Sequence, residues 1–276
     1  MAGSLLSRAL GALELLAEEP RGLPLQEIAD CLGMPKSGAH RLLAELNQLR
    51  YVAQDADSAR YLLTTRLMSL GFKVLGNSGI VEIVQPVLNR LAAASGELAR
   101  LAVVDNGRLP FIAKAQGAKS GLRFDPDMGG EVALYCSSSG MIWLASMSEN
   151  EAVELVARQG FTLPEQRGPK VPRNISEVLA GVSEARQRGY GRAIESWAPG
   201  MSSMAANVRD PHTGRVTGVV SIAGPTVRLT EEAMEKFAPE LFAAADELSA
   251  VSPLSDYLAS INPTAALSAA GTSRAA

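Results

Sequence analysis

Two short apolar stripes at helical spacing, joined by Gly33-Met34-Pro35, constrain this chain more than any other feature. Leu25, Ile28, Ala29 and Leu32 share one face of the first segment; Ala39, Leu42, Leu43, Leu46 and Leu49 share one face of the second. Gly33 permits the tight turn, and Pro35 suits a helix start, where its missing N–H costs nothing. Upstream, Leu6, Ala9, Leu10, Leu13 and Leu16 predict another helix, interrupted by Pro20, Gly22 and Pro24. Downstream, Tyr51-Val52-Ala53 and Tyr61-Leu62-Leu63 flank the polar tip Asp55-Ala56-Asp57-Ser58, which has the composition of a hairpin turn. Three helices and a hairpin predict a winged helix–turn–helix over residues 1–65.

The third helix of such a unit keeps one apolar face for its own domain and offers a polar face to a DNA groove. Lys36, Ser37, His40, Arg41 and Gln48 share that polar face. Arg41 suits a bidentate contact with a guanine edge, Lys36, Ser37 and His40 suit phosphate or base edges, and Arg60 on the wing suits a phosphate. The alternative is a small helical domain whose polar face is merely solvated.

Thr64 to Leu75 reads as a further helix, and Gly76-Asn77-Ser78-Gly79 as the break between domains, giving a linker helix over residues 66–79. A helix near 80–94 opens the second domain, residues 80–252. Strands follow near 99–105 and 110–115, with Asn106-Gly107 as a hairpin turn between them. Further strands are expected near 122–124, 190–195, 203–209 and 218–223, with helices near 138–145, 149–158, 176–187 and 230–248. This mixture reads as α+β with a largely antiparallel sheet. Residues 253–276, rich in Ala, Ser and Pro, read as a disordered tail.

The chain has 26 Lys and Arg against 29 Asp and Glu. Taken whole, that weighs against a strongly basic nucleic-acid binder and a polybasic membrane anchor. By region it says less. Residues 1–76 carry eight basic and eight acidic groups, but residues 34–66 carry five basic and three acidic ones. The reading face is therefore mildly positive, which suits a dimer summing two half-site contacts. Cys31 and Cys136 match no zinc spacing, and with two histidines, His40 and His212, neither a metal site nor a cofactor is expected. Two cysteines in this length suggest a reducing, cytoplasmic setting. No apolar run approaches a membrane span of about 18 residues, and the N-terminus lacks a secretory pattern.

In the second half Gly121, Gly129 and Gly130 are too loosely arranged for a phosphate loop. Small hydroxyl residues stand out instead: Ser137, Ser138, Ser139, Ser202, Ser203 and Ser221. Ser138 and Ser139 fall near a predicted helix start, where backbone N–H groups and hydroxyls can receive a carboxylate; N-capping is the plainer role. Cys136 with His212 suggests a hydrolase-like nucleophile and base, a small-molecule enzyme with a helical appendage. A buried small thiol and a solvated turn histidine are the plainer reading. Glu195 is expected to hydrogen-bond a loop.

The runs Ser7-Arg8-Ala9-Leu10, Leu25-Gln26-Glu27-Ile28-Ala29, Gly33-Met34-Pro35-Lys36-Ser37-Gly38-Ala39-His40-Arg41-Leu42-Leu43 and Leu49-Arg50-Tyr51-Val52 resemble the amino-terminal domain of the IclR family of bacterial transcriptional regulators. Tyr135-Cys136-Ser137-Ser138-Ser139-Gly140, Arg188-Gly189-Tyr190, Glu195, Gly200 and Ser221-Ile222-Ala223-Gly224-Pro225 extend the resemblance over residues 4–250. Gly38 stands in the DNA-contacting run where the family usually has Thr. The resemblance implies no enzyme, but a regulator that binds a pseudo-palindromic double-stranded operator as a dimer or dimer of dimers. It also implies a GAF-like or PAS-like effector domain for small organic acids. By position it implies ligand contacts at Ser138, Ser139, Ser203 and Ser221. Ala193 and Ala223 stand where some members have an acidic residue and a serine; Tyr135 replaces a common His and Met141 a common Lys. Loss of the acid at Ala193 favours an anionic, bulkier ligand. Arg123, Met128, Tyr135, Cys136, Trp143 and Trp197 would complete an aromatic-acid pocket.

Overall fold

The computed structural model describes residues 4–78, 80–124, 130–161 and 167–250. Met128 and the expected tail at 253–276 lie outside these residues. The chain divides into two compact units between Asn77 and Ser78.

The first unit comprises α1 (Leu5–Glu18), α2 (Leu25–Cys31), α3 (Lys36–Gln48), β1 (Val52–Gln54), β2 (Tyr61–Leu63) and α4 (Thr65–Ser78). Ala12, Leu16, Ile28, Leu42, Leu43, Leu46, Val52 and Tyr61 form its core. Gly33, at φ +57°, makes the α2–α3 turn, closed by Met34 N–H donating to the Ala29 carbonyl. Pro35 caps α3 in an extended conformation and does not enter its first turn. The wing is antiparallel, and Leu23 adds a bridge to it by exchanging both backbone hydrogen bonds with Tyr61. Gly22, at φ +69°, is needed there: a Cβ would fall against the Tyr61 carbonyl.

Two expectations fail in this unit. The stripe on α1 is rotated, so that Ala12 and Leu16 are buried while Leu6 and Leu10 are 69% and 51% exposed. The apolar band of α1 is wider than α2, α3 and the wing can cover. The break at 76–79 is also narrower than read, because α4 continues through Gly76, Asn77 and Ser78. The two glycines inside this helix, Gly71 and Gly76, are tolerated at about 1 kcal/mol each.

The second unit comprises α5 (Ile80–Ser95), β3 (Leu98–Val103), β4 (Phe111–Gln116), α6 (Ser138–Leu144), α7 (Glu149–Gln159), α8 (Ile175–Arg188), β5 (Gly191–Ile194), β6 (Met201–Arg209), β7 (Val216–Pro225) and α9 (Glu231–Ala250). The sheet order is β4-β3-β7-β6-β5, antiparallel throughout. Asn106 and Gly107, both at positive φ, form the tight turn between β3 and β4. Residues 122–124, expected as a strand, are irregular.

Side chains alternate across the strands, so each sheet face meets its own helical layer. Leu101, Met204 and Ile222 pack with Leu88 and Leu91 of α5 and Leu241 of α9. Ala102, Ala205 and Val219 pack with Ile142 of α6 and with Val178 and Val182 of α8. The candidate ligand cavity opens on this second face.

Candidate functional site

Each unit carries one candidate site. In the first, the apolar side of α3 buries Ala39, Leu42, Leu43 and Leu46, which leaves Lys36, Ser37, His40, Arg41 and Gln48 exposed on the other side. Gly38 is half-buried, and a Cβ there would meet only the methyl end of Met34. A surface cleft of ≈ 380 Å³ beside α3 brings Arg8 of α1 next to Ser37 and Arg41. Arg8 was quoted above only as part of a family run; the packing of α1 beside α3 supplies its place. Arg60 is already engaged, its Nε donating to the Gly22 carbonyl at 3.0 Å, so it braces the wing.

The second site is set by strand register. Ala193, Ser203, Ala223 and Leu98 form one row across the sheet; Ala205, Ser221 and Arg100 form the next, on the same face. A cavity of ≈ 130 Å³ lies over these rows, lined by Arg100, Phe111, Phe124, Val132, Ser138, Ser139, Trp197, Met201 and Ser203. The Ser-Ser-Ser-Gly run divides its tasks. Ser137 caps α6, accepting from Gly140 N–H. Ser138 Oγ donates to Ser203 Oγ at 2.8 Å. Gly140 and Gly191 let the segment press close, since a Cβ on either would fall inside the carbonyls of Leu134 and Ser138 respectively.

Arg100 rises from β3 into this cavity with its guanidinium 3.7 Å from the centre of the Phe111 ring and 5.8 Å from that of Phe124. Burial draws its pKa down to about 10, and its Nε is buried with no acceptor. Opposite it on β7, Ser221 Oγ is likewise buried without a partner. Near the cavity Arg167 stacks over Trp197 at 3.5 Å.

Of the residues expected to meet a ligand, Ser138, Ser139, Ser203 and Trp197 line the cavity. Ala193, Ala223 and Ser221 share its sheet face without reaching the lining. Tyr135 and Cys136 are buried behind it, and Tyr135 packs on Phe161. Arg123 is exposed and lies outside the lining. Trp143 borders a different, wider cleft of ≈ 540 Å³, an open groove that none of the candidate hydroxyls reaches. Sequence reasoning missed Arg100, Phe111 and Phe124. The available signal was one arginine inside the otherwise apolar run Leu98-Ala99-Arg100-Leu101-Ala102-Val103.

The nucleophile alternative finds poor chemistry. Burial pushes the Cys136 thiol up to about 11, so it is protonated at neutral pH. His212 sits in an exposed turn whose backbone N–H groups at His212 and Thr213 both donate to Asp210. Glu195 accepts from Gly200 N–H and so holds a loop. Among the described residues no three His, Cys, Asp or Glu gather to hold a metal ion, and no helix is long and apolar enough to cross a membrane.

Residues 5–56 match the family model described as the IclR helix-turn-helix domain. Residues 72–250 match the model described as bacterial transcriptional regulator IclR C-terminal. The transcriptional repressor IclR of Escherichia coli strain K12 is 30% identical over 244 residues, 88% of each chain. An IclR transcriptional regulator from Alicyclobacillus acidocaldarius aligns in three dimensions with a TM-score of 0.77 at 26% identity, covering 91% of this chain and 98% of that one. An IclR homolog from Microbacterium hydrocarbonoxydans, complexed with 4-hydroxybenzoate, aligns with a TM-score of 0.71 at 21% identity over 90% of this chain and 100% of that one.

Proposed function

Because the chain belongs to the IclR family of bacterial transcriptional regulators, whose helix–turn–helix domain binds DNA, we propose that it reads a pseudo-palindromic operator and senses a small organic acid in the second unit. The observation that carries the reading is α3, which buries one apolar face and leaves Lys36, Ser37, His40 and Arg41 to solvent. Arg41 is the guanine-reading residue, with Arg8 beside it on the same cleft. The protein acts in the cytoplasm and catalyses no reaction; the protonated Cys136 thiol supports that.

The active species is a dimer, alone or paired. Leu5, Leu6 and Leu10 on α1, and Met68, Leu70, Phe72 and Val74 on α4, are all exposed, an apolar surface of the kind that a second copy covers. Ligand in the sensing unit alters operator affinity by binding better to one arrangement of the two readers than to the other. The aromatic-acid class is carried over from the homolog bound to 4-hydroxybenzoate, and supported by Phe111, Phe124 and Trp197 around the cavity.

The test is retention of genomic fragments at several salt concentrations, followed by footprinting. Affinity should fall steeply with salt, and Arg41→Ala should lower it by about 1–3 kcal/mol and relax specificity at one base pair per half-site. Sequence-specific binding unchanged in that variant would remove Arg41 from reading. No retention of any fragment would leave a metabolite-binding scaffold.

A further inference from the structure

The cavity contains a positive charge with no ion-pair partner: the one carboxylate on its lining, Glu131, accepts from Gln159 and lies 4.0 Å from Arg108 instead. Arg100 Nε is buried without an acceptor, and Arg100 makes no ion pair among the described residues. Its guanidinium lies over the Phe111 ring, so that face is closed and an acceptor must approach the N–H edge in plane. In-plane approach to a guanidinium fork is the geometry of a carboxylate. The β3–β7 register sets Ser221 directly opposite Arg100, and its hydroxyl is also buried without a partner. Arg100 is the one of the two that lines the cavity, and its unanswered Nε points to a missing oxygen atom there. A water could satisfy the hydrogen bond, but it would leave Arg100 without an ion-pair partner.

The rest of the lining limits what can carry those oxygens. Phe124, Val132, Trp197 and Met201 are apolar, Ser139 adds a hydroxyl, and the Glu131 carboxylate on the rim disfavours a second negative charge. The volume is ≈ 130 Å³, against about 150 Å³ for a closed cavity that holds one benzene, and this cavity opens to the surface, so one ring with its carboxylate is the upper limit. We propose that Arg100 is the anion-binding residue of this cavity, and that its ligand is a monocarboxylate no larger than a single six-membered ring. This rests on reading the cavity as the regulator's ligand site. It replaces Arg123 as the anchor and excludes dianionic or fused-ring acids.

The test uses the full chain with benzoate as probe, benzamide as its neutral isostere and phthalate as a bulkier dianion. Calorimetric titration should detect benzoate and neither of the others. Arg100→Met should keep the wild-type circular dichroism and weaken benzoate at least about thirtyfold. Arg123→Met should bind benzoate as the wild type does. Should Arg100→Met fold poorly, Arg100→Lys keeps the charge without the fork and should still weaken benzoate.

Equal benzoate affinity in wild type and a folded Arg100 variant overturns the proposal. So does benzamide binding as well as benzoate, or a wild type that does not bind benzoate. DNA retention measured on the same samples separates the two readings. DNA binding without carboxylate binding sinks the anchor and leaves the regulator. Arg100-dependent benzoate binding that never changes DNA retention supports the anchor and refutes the sensing role.

Discussion

Replacing Arg100 with methionine should stabilise the unliganded protein. Burial lowers the Arg100 pKa from the ordinary guanidinium range to about 10. A lowered pKa on a cation means that the fold disfavours the charged form. At pH 7, below both values, the whole penalty is present, and it eases only as pH climbs above 10 toward the unfolded value. At 1.36 kcal/mol per pKa unit the penalty is about 3 kcal/mol at most. Stacking on Phe111 returns about 1 kcal/mol, and partial exposure reduces the penalty further. Methionine keeps most of the stem packing. A net gain of about 1–2 kcal/mol remains, worth about 2–4 °C per kcal/mol in a unit of this size. The assay is differential scanning calorimetry at pH 7 after exhaustive dialysis against carboxylate-free buffer. Ligand should then erase or reverse the difference, since a hundredfold excess over the wild-type Kd adds about 2.7 kcal/mol to the wild type and only about 0.9 kcal/mol to a variant that binds thirtyfold more weakly. An unliganded variant that melts well below the wild type would refute the reasoning, because Arg100 would then be a net structural contributor.

Four further outcomes follow from geometry and burial. A thiol reagent should label exposed Cys31 in the native protein and reach buried Cys136 only on unfolding. Because Cys136 ionises near 9 when unfolded and near 11 when folded, its contribution to stability should be complete below pH 9 and be lost between 9 and 11 in pH-dependent urea melts of Cys136 against Cys136→Ala. Gly140→Ala should cost about 2–3 kcal/mol in denaturant melts, since the new Cβ would press on the Leu134 carbonyl and force α6 off the sheet. Glu97, 2% exposed, accepts from both Nε and Nη2 of Arg228, so Glu97→Gln should destabilise by about 2 kcal/mol, the half-exposed Arg228 softening the loss.

The helices and turns of this protein are legible because they are local. The stripe Ala39, Leu42, Leu43, Leu46, the glycine at 33 and the pair Asn106-Gly107 state their structure within a few residues. The α1 stripe misled because leucine spacing shows that a face is apolar and not how much of it neighbours will cover. The 76–79 run misled because breakers in sequence need not break a helix that already has length on its side. Site residues needed more. Resemblance reached Ser138, Ser139 and Ser203, but the choice of Arg123 over Arg100 turned on which arginine the sheet buries. Only the pairing of Arg100 with Ser221 across β3 and β7, a contact between distant parts of the chain, reveals the two orphaned groups as neighbours.

The bracing of the wing has a thermodynamic consequence. Leu23 and Tyr61 exchange two backbone hydrogen bonds, and Arg60 Nε holds the Gly22 carbonyl, so the hairpin is tied to the α1–α2 connection before any DNA arrives. Ordering a free loop on binding costs about 0.5–1.5 kcal/mol for each immobilised flexible side chain. Here that ordering is complete in the free protein. Association with an operator should therefore show a heat-capacity change matching the surface buried at a rigid contact, without the excess that accompanies folding of a segment on its target.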